Sequence, residues 1–368
     1  MKKDEIYMMR AIELAQKGRG FVAPNPMVGA VIVKDDKIVG EGWHEKAGSN
    51  HAEVNAVLNS KLESFSDCTL YINLEPCTHF GKTPPCVDKI IGLKFKRVVI
   101  GTLDKNPVVA GKGKEKLELS NIEVKVGVLE EECDWLNRVF FKNITQNAPY
   151  VIAKIAQTLD GYIATKNKNS KWITSEASRE YVHLLRSEID SILVGDGTVN
   201  TDNPELTVRH VKGRNPKRII LDQNLSISLS SKILIDEERK NTYIICNENY
   251  EFSKKANVLA LAGIKIINMA VDSNNSFDLQ ELMEKLYQGL NLNSVLVEGG
   301  GGVYKSFLKA NLIDELQIFI APKILGSGLA AFNDLNISSL KNTFNFDIVK
   351  TERFGPDLLI ILKKSSVA

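Results

Sequence analysis

The sequence predicts two α/β domains that meet near residue 148, and three observations lead to this prediction. The chain has 368 residues, and a domain averages roughly 150 residues. Strand-like and helix-like segments alternate in both halves, which is typical of helices packed on a sheet. A polar break, Asn147-Ala148-Pro149, separates the two patterns. We therefore place the first domain at residues 1–147 and the second at residues 148–368.

Composition narrows the class of protein. Apolar residues make up 43% of the chain and charged residues 25%, which is ordinary for a globular protein. The net charge of +2 argues against extended contact with nucleic acid or anionic membrane, because such contact needs a strongly basic face. No stretch reaches the roughly 20 apolar residues that span a bilayer. Five sparse cysteines suit a reducing compartment, and we expect a cytoplasmic protein.

The first domain begins with a predicted amphipathic helix, in which Met8, Ile12 and Ala15 share one face. The stretch "MVGAVIVKDDKIVGEGWHE" predicts a β-hairpin with strands at 30–33 and 38–42. A helix is expected after "SN", because either residue can cap it and apolar positions follow. Further along, "CTLYINLE" and "RVVIGT" predict strands, and "PPCVDKIIGL" predicts a helix with prolines at its start.

The second domain contains several short apolar segments. "YVIAKIA", "SILVGDGTV", "RIILD", "TYIIC", "IKIINM" and "SVLVEGG" are strand-like, whereas "SREYVHLLRSE" is helical. Short, continuously apolar strands are typical of a largely parallel sheet that is covered on both faces.

Residues suited to zinc occur in order along the first domain: His51, Cys77 and Cys86. An imidazole and two thiolates leave the fourth tetrahedral position open for water. Zinc lowers the pKa of bound water towards neutrality, and the hydroxide so produced suits a hydrolytic site. Glu53, two residues after the histidine, is predicted to carry the proton from that water to the substrate.

The spacing of these residues adds two structural expectations. His51 and Glu53 are two positions apart and share no face in mid-helix, so both must lie at a helix start to reach one metal. Cys86 follows two prolines and is expected in the first helical turn, where the helix dipole favours the thiolate. A single His-x-Glu or a single cysteine is more often structural, but their joint order favours a metal site. A purely structural zinc site would need a fourth ligand and no Glu53.

Through His51-Ala52-Glu53 and Glu75-Pro76-Cys77, the first domain resembles the zinc-dependent cytidine deaminase-like enzymes. The insert "PCTHFGKTPPC" and the stretch "NPMVGAVIV" resemble, more narrowly, the deaminase half of the bifunctional riboflavin-biosynthesis deaminase-reductase family. The resemblance implies a cytidine deaminase-like, three-layer α/β domain. It also implies hydrolytic removal of the 2-amino group of 2,5-diamino-6-ribosylamino-4(3H)-pyrimidinone 5′-phosphate.

A phosphorylated substrate needs cationic or donor groups beyond the metal, and the insert supplies a histidine and a lysine. The resemblance implies that Asn25, before the hairpin, and His44, at its end, hold the pyrimidine and ribose. It also implies that residues of "DKNPVVAGKG" form the far wall of the substrate site. Two of these positions are asparagines followed by proline, for which the alternative is turn formation. The predicted substrate-binding residues of this domain are Asn25, His44, His79, Lys82, Asp104 and Asn106.

Residues 150–368 resemble the reductase half of the same family, through segments such as "AKIAQTLDGYIAT", "WITSEASR" and "VEGGGGVYKSFLKANLIDEL". The resemblance implies a dihydrofolate reductase-like α/β domain. It also implies NADPH-dependent reduction of the ribosyl group to a ribityl chain, by hydride transfer to C1′ of the ring-opened imine. The glycine run would let backbone amides approach a pyrophosphate at a helix start. It lacks the Rossmann spacing, and the alternative is a flexible turn.

Catalysis in the second domain is assigned to Asp202 by resemblance, near nicotinamide and C1′. Asn203 stands where an aspartate often stands in this family. Two arginines are candidates for the substrate phosphate, with a solvated helix face as the alternative, and for Trp172 the alternative is core packing. The predicted substrate-binding residues are Ser170, Arg186, Leu206, Arg209 and Glu298, and the predicted cofactor-binding residues are Ala156, Trp172, Thr174, Thr198, Asp202, Gly300, Gly301 and Gly302.

The leading hypothesis is therefore a fused deaminase and reductase that acts on a small phosphorylated pyrimidine, with zinc and NADPH as cofactors. A second hypothesis is a zinc deaminase of a nucleoside or a nucleic-acid base with an accessory nucleotide-binding domain, against which the near-neutral charge argues. A third is a zinc-stapled scaffold that has lost catalysis, against which Glu53 and Asp202 argue. We expect a homo-oligomer, with neither nucleic acid nor membrane as a partner.

Overall fold

The computed structural model describes residues 2–80, 84–107, 109–332 and 334–365. They form two compact units, Met1–Asn147 and Ala148–Ala368. Within the described part of the chain, no helix combines the length and apolarity needed to cross a membrane.

The first unit has five strands and six helices in its described residues. The strands are β1 Gly29–Lys34, β2 Lys37–Trp43, β3 Thr69–Leu74, β4 Arg97–Thr102 and β5 Glu123–Val126. The helices are α1 Lys3–Gln16, α2 Ala52–Ser60, α3 Cys86–Gly92, α4 Lys112–Leu119, α5 Glu130–Leu136 and α6 Arg138–Gln146.

These strands form one sheet in the order β2-β1-β3-β4-β5, in which β1 runs antiparallel to both neighbours and β3, β4 and β5 are parallel. Successive side chains of a strand point to opposite faces. Along β1, Ala30 and Ile32 pack towards α2 and α3, whereas Val31 and Val33 pack towards α1 and α5. The unit therefore has three layers, as expected.

The predicted hairpin is confirmed, and its turn is formed by Asp35 and Asp36, which both have positive φ. The predicted cap of α2 was wrong. His51 is the N-cap residue, and within the described structure its side chain makes no capping hydrogen bond. Ser49 instead donates its hydroxyl to the carbonyl of Lys46, which closes the preceding turn.

The second unit has eleven strands and six helices in its described residues. The strands are β6 Tyr150–Thr158, β7 Tyr162–Ala164, β8 Ser191–Gly195, β9 Lys217–Leu221, β10 Thr242–Asn247, β11 Lys265–Met269, β12 Ser294–Val297, β13 Glu315–Ala321, β14 Leu329–Ala330, β15 Phe346–Phe354 and β16 Asp357–Lys364. The helices are α7 Glu176–Glu188, α8 Asp196–Asp202, α9 Lys232–Ile235, α10 Lys254–Leu261, α11 Leu279–Glu284 and α12 Gly301–Lys309.

Nine of these strands form a sheet in the order β11-β10-β9-β8-β12-β6-β13-β16-β15. Its first seven strands are parallel, and β16 and β15 add an antiparallel edge. Leu193 of β8 packs into one core and its neighbours Ile192 and Val194 pack into another, so both faces are covered. The largely parallel sheet is confirmed. The strand predicted through "SILVGDGTV" ends at Gly195, where α8 begins.

Candidate active sites

Three side chains converge in the first unit. His51 precedes α2, Cys77 follows β3 and Cys86 is the first residue of α3. The Nδ1 atom of His51 lies 3.1 Å from Sγ of Cys86 and 3.6 Å from Sγ of Cys77. Possible ligand atoms of the three residues all lie within 4.8 Å of one another. The long insert between the cysteines is thus compatible with one shared centre.

The thiols of Cys77 and Cys86 interact, and their pKa values shift in opposite directions. The hydrogen bond with Cys86 lowers the pKa of the Cys77 thiol to about 4, and the hydrogen bond with His51 acts in the same direction. The same contact with Cys77, together with burial, raises the pKa of Cys86. These contacts favour the thiolate form of Cys77. A divalent metal at this centre would favour both thiolates, because cysteine binds metal in its deprotonated form.

Glu53 lies beside this centre as the second residue of α2. It is 5% exposed, and burial raises the pKa of its carboxyl group. Among the described residues, its Oε2 atom has no hydrogen-bond partner. A buried carboxylate oxygen without a partner is costly unless a ligand or water satisfies it. One imidazole, two thiols and an unsatisfied carboxylate oxygen fit a catalytic zinc site, which has three protein ligands and an open position.

Asn25 and His44 lie beside the cluster of His51, Cys77 and Cys86. The Nδ1 atom of His44 lies 3.0 Å from the carbonyl oxygen of Asn50, and Nε2 lies 3.1 Å from Nδ2 of Asn25. Because a carbonyl only accepts, Nδ1 carries the proton and Nε2 accepts from the Asn25 amide. Burial lowers the pKa of His44, which favours the same neutral form. The His44 and His51 rings lie 5.6 Å apart, so Asn25 stands beside the metal ligands.

Two buried asparagines that the sequence did not point to fix the loop after Asn25. The Oδ1 atom of Asn137 accepts from the backbone N–H of Met27 at 2.8 Å, and that of Asn73 accepts from Gly29 at 2.8 Å. Both asparagines also donate to the carbonyl of Met27, each at 3.0 Å. An asparagine inside an apolar strand, as in "LYINLE", is the one signal by which Asn73 was open to prediction.

Asp104, which was predicted to form the far wall of the substrate site, lies near the metal cluster. Asp104 is 9% exposed, burial raises its pKa, and it interacts electrostatically with His79 and Cys77. Its Oδ1 atom accepts from the backbone N–H of Asn106 at 2.8 Å, so this Asn-Pro sequence does form a turn. His79 is exposed. Lys82, the other predicted residue of the insert, lies outside the described residues.

The second unit contains a cavity of about 560 Å³ at the carboxyl ends of β6, β8 and β12. Ligands of parallel sheets bind at this end of the strands. Lys154 and Tyr304, which were not predicted from the sequence, also line this cavity. A lysine within the apolar run "YVIAKIA" was the available signal. The predicted residues that line the cavity are Ala156, Ser170, Thr198, Asp202, Glu298, Gly300, Gly301 and Gly302.

The glycine run joins the end of β12 to the start of α12, which is the predicted position. Gly299 has a φ of +121°, which side chains rarely adopt. A Cβ on Gly301 would lie 3.0 Å from the carbonyl oxygen of Ala330. A Cβ on Gly197 or Gly302 would meet no described atom within 4 Å, although both glycines line the cavity. The missing side chains leave room for a phosphate group at the start of α12, which fits a dinucleotide.

A buried ion cluster stands at the edge of this cavity. Arg186 donates from Nε and Nη2 to the carboxylate of Glu298 at 2.7 and 2.8 Å, and the ammonium of Lys154 lies 3.9 Å from the same carboxylate. Burial opposes ionisation of Glu298, but Arg186 and Lys154 outweigh it and lower its pKa to about 2. Burial lowers the pKa of Lys154. The Arg186 side chain is 12% exposed, which excludes a solvated helix face.

Trp172 lines a second cavity of about 340 Å³, which shares Ala164 and Ser170 with the first. It is 64% exposed, which excludes core packing, and the Arg179 guanidinium lies over its ring at 4.5 Å. The carbonyl of the predicted Thr174 accepts from Arg179 at 2.9 Å.

Leu206 and Arg209 belong to the segment between α8 and β9. Leu206 is 3% exposed and has a φ of +55°. The side chain of Arg209 forms an ion pair with Glu205 at 2.5 Å and is 44% exposed. Its backbone N–H donates to Nδ1 of His183 at 3.2 Å. Neither cavity described above is lined by Thr174, Leu206, Arg186 or Arg209.

A chain that carries both sites belongs to the class of two-domain enzymes that join a zinc-dependent deaminase to a nicotinamide-dependent reductase. Known protein families agree with this assignment. Residues 1–102 match the cytidine and deoxycytidylate deaminase zinc-binding region, and residues 149–360 match the RibD C-terminal domain. The chain belongs to the RibD family of riboflavin biosynthesis proteins.

Similar proteins cover both domains. The riboflavin biosynthesis protein RibD of Aquifex aeolicus is 48% identical over 362 residues, which are 98% of each chain. A Thermotoga maritima structure, named as a diaminohydroxyphosphoribosylaminopyrimidine deaminase/5-amino-6-(5-phosphoribosylamino)uracil reductase, is 39% identical with a TM-score of 0.84 over 99% of each chain. RibD of Acinetobacter baumannii is 34% identical with a TM-score of 0.84, again over 99% of each chain.

The chain is accordingly a bifunctional enzyme of riboflavin biosynthesis, both a hydrolase and an oxidoreductase. Its first domain is a zinc-binding deaminase of the cytidine deaminase-like fold, and its second is a dihydrofolate reductase-like domain that uses NADPH.

Proposed function

We propose that the first site removes the 2-amino group of 2,5-diamino-6-ribosylamino-4(3H)-pyrimidinone 5′-phosphate, and that the second reduces the ribosyl group of the product to a ribityl chain. The observation that carries this proposal is the placement of buried Glu53 against the cluster of His51, Cys77 and Cys86. The name of the Thermotoga maritima structure supports the substrate.

In the deaminase site, His51, Cys77 and Cys86 would hold zinc, which when bound acts as a Lewis acid and lowers the pKa of water towards neutrality. Glu53 takes one proton from the attacking water and delivers it to the ring nitrogen. It then moves the second proton, from the hydroxyl group formed on the ring carbon, to the amine that leaves as the carbonyl forms. We assign the proton to its Oε2 atom, which has no hydrogen-bond partner among the described residues. Asn25, oriented by neutral His44, holds the pyrimidine. Water replaces ammonia at the ring carbon, so the reaction needs no other reactant.

In the reductase site, NADPH when bound supplies the hydride. The backbone amides at the start of α12 would hold its pyrophosphate, and Thr198 and Ala156, which line the same cavity, would contact the rest of the cofactor. Asp202 lies in the same cavity, where its carboxylate accepts from the hydroxyl of Ser170 at 3.4 Å. We assign Asp202 to the proton that must accompany the hydride. Arg186 fixes the carboxylate of Glu298 at the cavity wall, where we assign Glu298 to the substrate.

A coupled assay tests the proposal. The purified protein, given the diaminopyrimidinone phosphate and NADPH, is expected to release ammonia first and to oxidise NADPH afterwards, with one NADPH consumed per ammonia released. Ammonia is measured enzymatically and NADPH by its absorbance. Turnover of cytidine or of a single-stranded oligonucleotide, without turnover of the pyrimidinone, would instead support the second hypothesis from the sequence.

Removal of zinc is expected to separate the two activities. Dialysis against a chelator should abolish deamination, because the water at this site loses its Lewis acid, and stoichiometric zinc should restore it. NADPH oxidation with pre-deaminated substrate should stay unchanged, because the reductase cavity contains none of the three ligands. Metal content is followed by mass spectrometry. Deamination that persists in metal-free protein would contradict the assignment.

We also propose that the enzyme works in the cytoplasm as a homo-oligomer. All five cysteines are free, which suits a reducing compartment. Strand β15 lies at an edge of the nine-stranded sheet, with Ile348 66% exposed, and exposed strand edges are sites of pairing between chains. Sedimentation of the purified protein should give a mass above 40.9 kDa; a single species at the monomer mass would exclude the oligomer.

A further inference from the structure

We propose that Glu75 is a positioning residue for the deaminase substrate, and this inference rests on the proposed function of that site. Residues 104–107 and 109–114 are called here the wall segment. Glu75 holds the wall segment beside the metal cluster through three backbone hydrogen bonds. It lies two residues before Cys77, so that one short stretch of chain supplies a metal ligand and the anchor of the opposite wall.

The carboxylate of Glu75 accepts three hydrogen bonds from this segment, while its backbone N–H donates to the carbonyl of Thr102 at the end of β4. Its Oε2 atom accepts from the backbone N–H groups of Asp104 at 3.1 Å and Gly111 at 2.9 Å, and its Oε1 atom accepts from Lys114 at 3.0 Å. The residue is 4% exposed. A carboxylate that accepts several backbone N–H groups forms strong, charge-assisted hydrogen bonds. The buried carboxylate therefore fixes both ends of the wall segment at once.

The same contacts explain how α4 begins. Its N-cap residue is Gly111, which has no side chain with which to cap the helix. Gly111 and Lys114 are the N-cap and third helical positions, whose N–H groups lack partners within the helix. Glu75 satisfies both from another part of the chain, and its negative charge is stabilised by the positive end of the helix dipole.

Gly113 provides a second, independent observation of this arrangement. A Cβ on Gly113 would lie 2.6 Å from the carbonyl oxygen of Pro76 and 3.0 Å from the side chain of Glu75. Only glycine permits so close an approach of α4 to the stretch that leads to Cys77. The distance between the wall segment and the metal cluster thus depends on two residues, neither of which contributes a side chain to the substrate site.

The consequence for the reaction follows from Asp104. Its backbone N–H is bound by Glu75, and its carboxylate interacts electrostatically with Cys77. Its Oδ1 atom in turn orders the backbone of Asn106. If the carboxylate of Glu75 is lost, Asp104 and Asn106 lose their fixed position, and binding of the substrate weakens more than the chemical step.

The test is Glu75→Gln in the full chain. The amide of glutamine has one acceptor oxygen and must turn an NH₂ group towards at least one of the three N–H donors. We expect the KM of deamination to rise about 10- to 100-fold, the scale of a lost hydrogen bond to a charged group, with a much smaller change in kcat. Zinc content and NADPH oxidation with pre-deaminated substrate should stay at wild-type values.

Glu118→Gln is the matched control, because Glu118 lies on the same helix and its ion pair with Lys114, at 2.8 Å, is largely exposed. Gly113→Ala leaves the charge of Glu75 in place and is expected to raise KM in the same way. In a double-mutant cycle, Glu75→Gln should add little in an Asp104→Asn background, because the two residues act as a unit.

The results separate this inference from the proposed function. A wild-type enzyme that does not deaminate the pyrimidinone would contradict the proposed function itself. With an active wild type, a wild-type KM in Glu75→Gln overturns the positioning role, as does loss of zinc, which would make Glu75 a support of the metal site. If Glu75→Gln fails to fold, Gly113→Ala decides: a raised KM supports the inference and a wild-type KM overturns it.

Discussion

Glu53→Gln will lower the kcat of deamination by about 10²- to 10⁴-fold, the range that a positioned general acid-base group contributes, while the protein keeps its zinc. Glutamine has nearly the same size as glutamate but cannot take up and return a proton. The attacking water then keeps its proton and the leaving amine receives none. The KM for the pyrimidinone should change little, because the shape of the site is preserved.

The environment of Glu53 makes this loss specific. Burial raises the pKa of its carboxyl group, and Oε2 has no hydrogen-bond partner among the described residues. A carboxylate whose role was to hold the fold together would have both oxygens satisfied. Glu63→Gln is the matched control, since Glu63 is an exposed residue just after α2.

Metal analysis and the second activity decide the outcome. Glu53→Gln and Glu53→Ala should both retain one zinc per chain and should oxidise NADPH normally with pre-deaminated substrate. Zinc lost together with deamination would identify Glu53 as a ligand or a support of the ligands. A kcat near the wild-type value in both variants would show that a group other than Glu53 transfers the proton.

The deaminase site was predictable from the sequence because its chemistry is local. His51 and Glu53 are two residues apart, and each cysteine of the centre lies next to a proline at the boundary of an element. Residue types that bind zinc are few, so their order along the chain was informative before any distance was known. The helix start that places His51 beside Glu53 was expected on the same geometric ground.

Contacts between distant parts of the chain were harder to foresee. The predicted cap of α2 was wrong because the hydroxyl of Ser49 donates to the carbonyl of Lys46 instead. A residue's general preference for capping does not show which of two local hydrogen bonds it will form. The end of β8 was misplaced because "SILVGDGTV" was interpreted as one strand, whereas β8 ends at Gly195 and the short helix α8 begins at Asp196. The sequence indicated Glu75 only as part of the Glu-Pro-Cys motif, because its three partners follow it by 29 to 39 residues.

The reductase residues show the same limit. Single arginines in a sequence carry no sign of their partners, so Arg186 was interpreted as a phosphate ligand. Its two donors instead face Glu298, 112 residues away. The role of Arg186 at the phosphate remains a prediction. The pairing itself leads to a further expectation, because it concerns charges that are largely removed from water.

Glu298→Gln is expected to destabilise the second unit by about 3 to 5 kcal/mol, the cost of breaking a buried ion pair by removing one partner. The side chains of Glu298, Arg186 and Lys154 are 7%, 12% and 16% exposed. Without the carboxylate, the positive charges of Arg186 and Lys154 are left together in a largely buried cluster. The change should appear as a lower urea concentration for loss of NADPH oxidation, with deamination in the same sample as the reference.

A buried ion pair can be a structural support or part of the reductase site, and a double variant distinguishes the two. Replacement of a buried pair by apolar residues of similar volume is often neutral or stabilising, so Arg186→Met with Glu298→Leu should recover part of the lost resistance to urea. Recovery is incomplete because Lys154 also loses its carboxylate partner. If Glu298 holds the substrate at the cavity edge, NADPH oxidation stays at least about tenfold below wild type, a loss of roughly 1.4 kcal/mol in transition-state binding.

Glu180→Gln is the control, because Glu180 is exposed and lies on α7, the helix that carries Arg186. It should change neither the resistance to urea nor the rate of NADPH oxidation. Recovery of both stability and reductase activity in the double variant would show that the ion pair serves the fold alone.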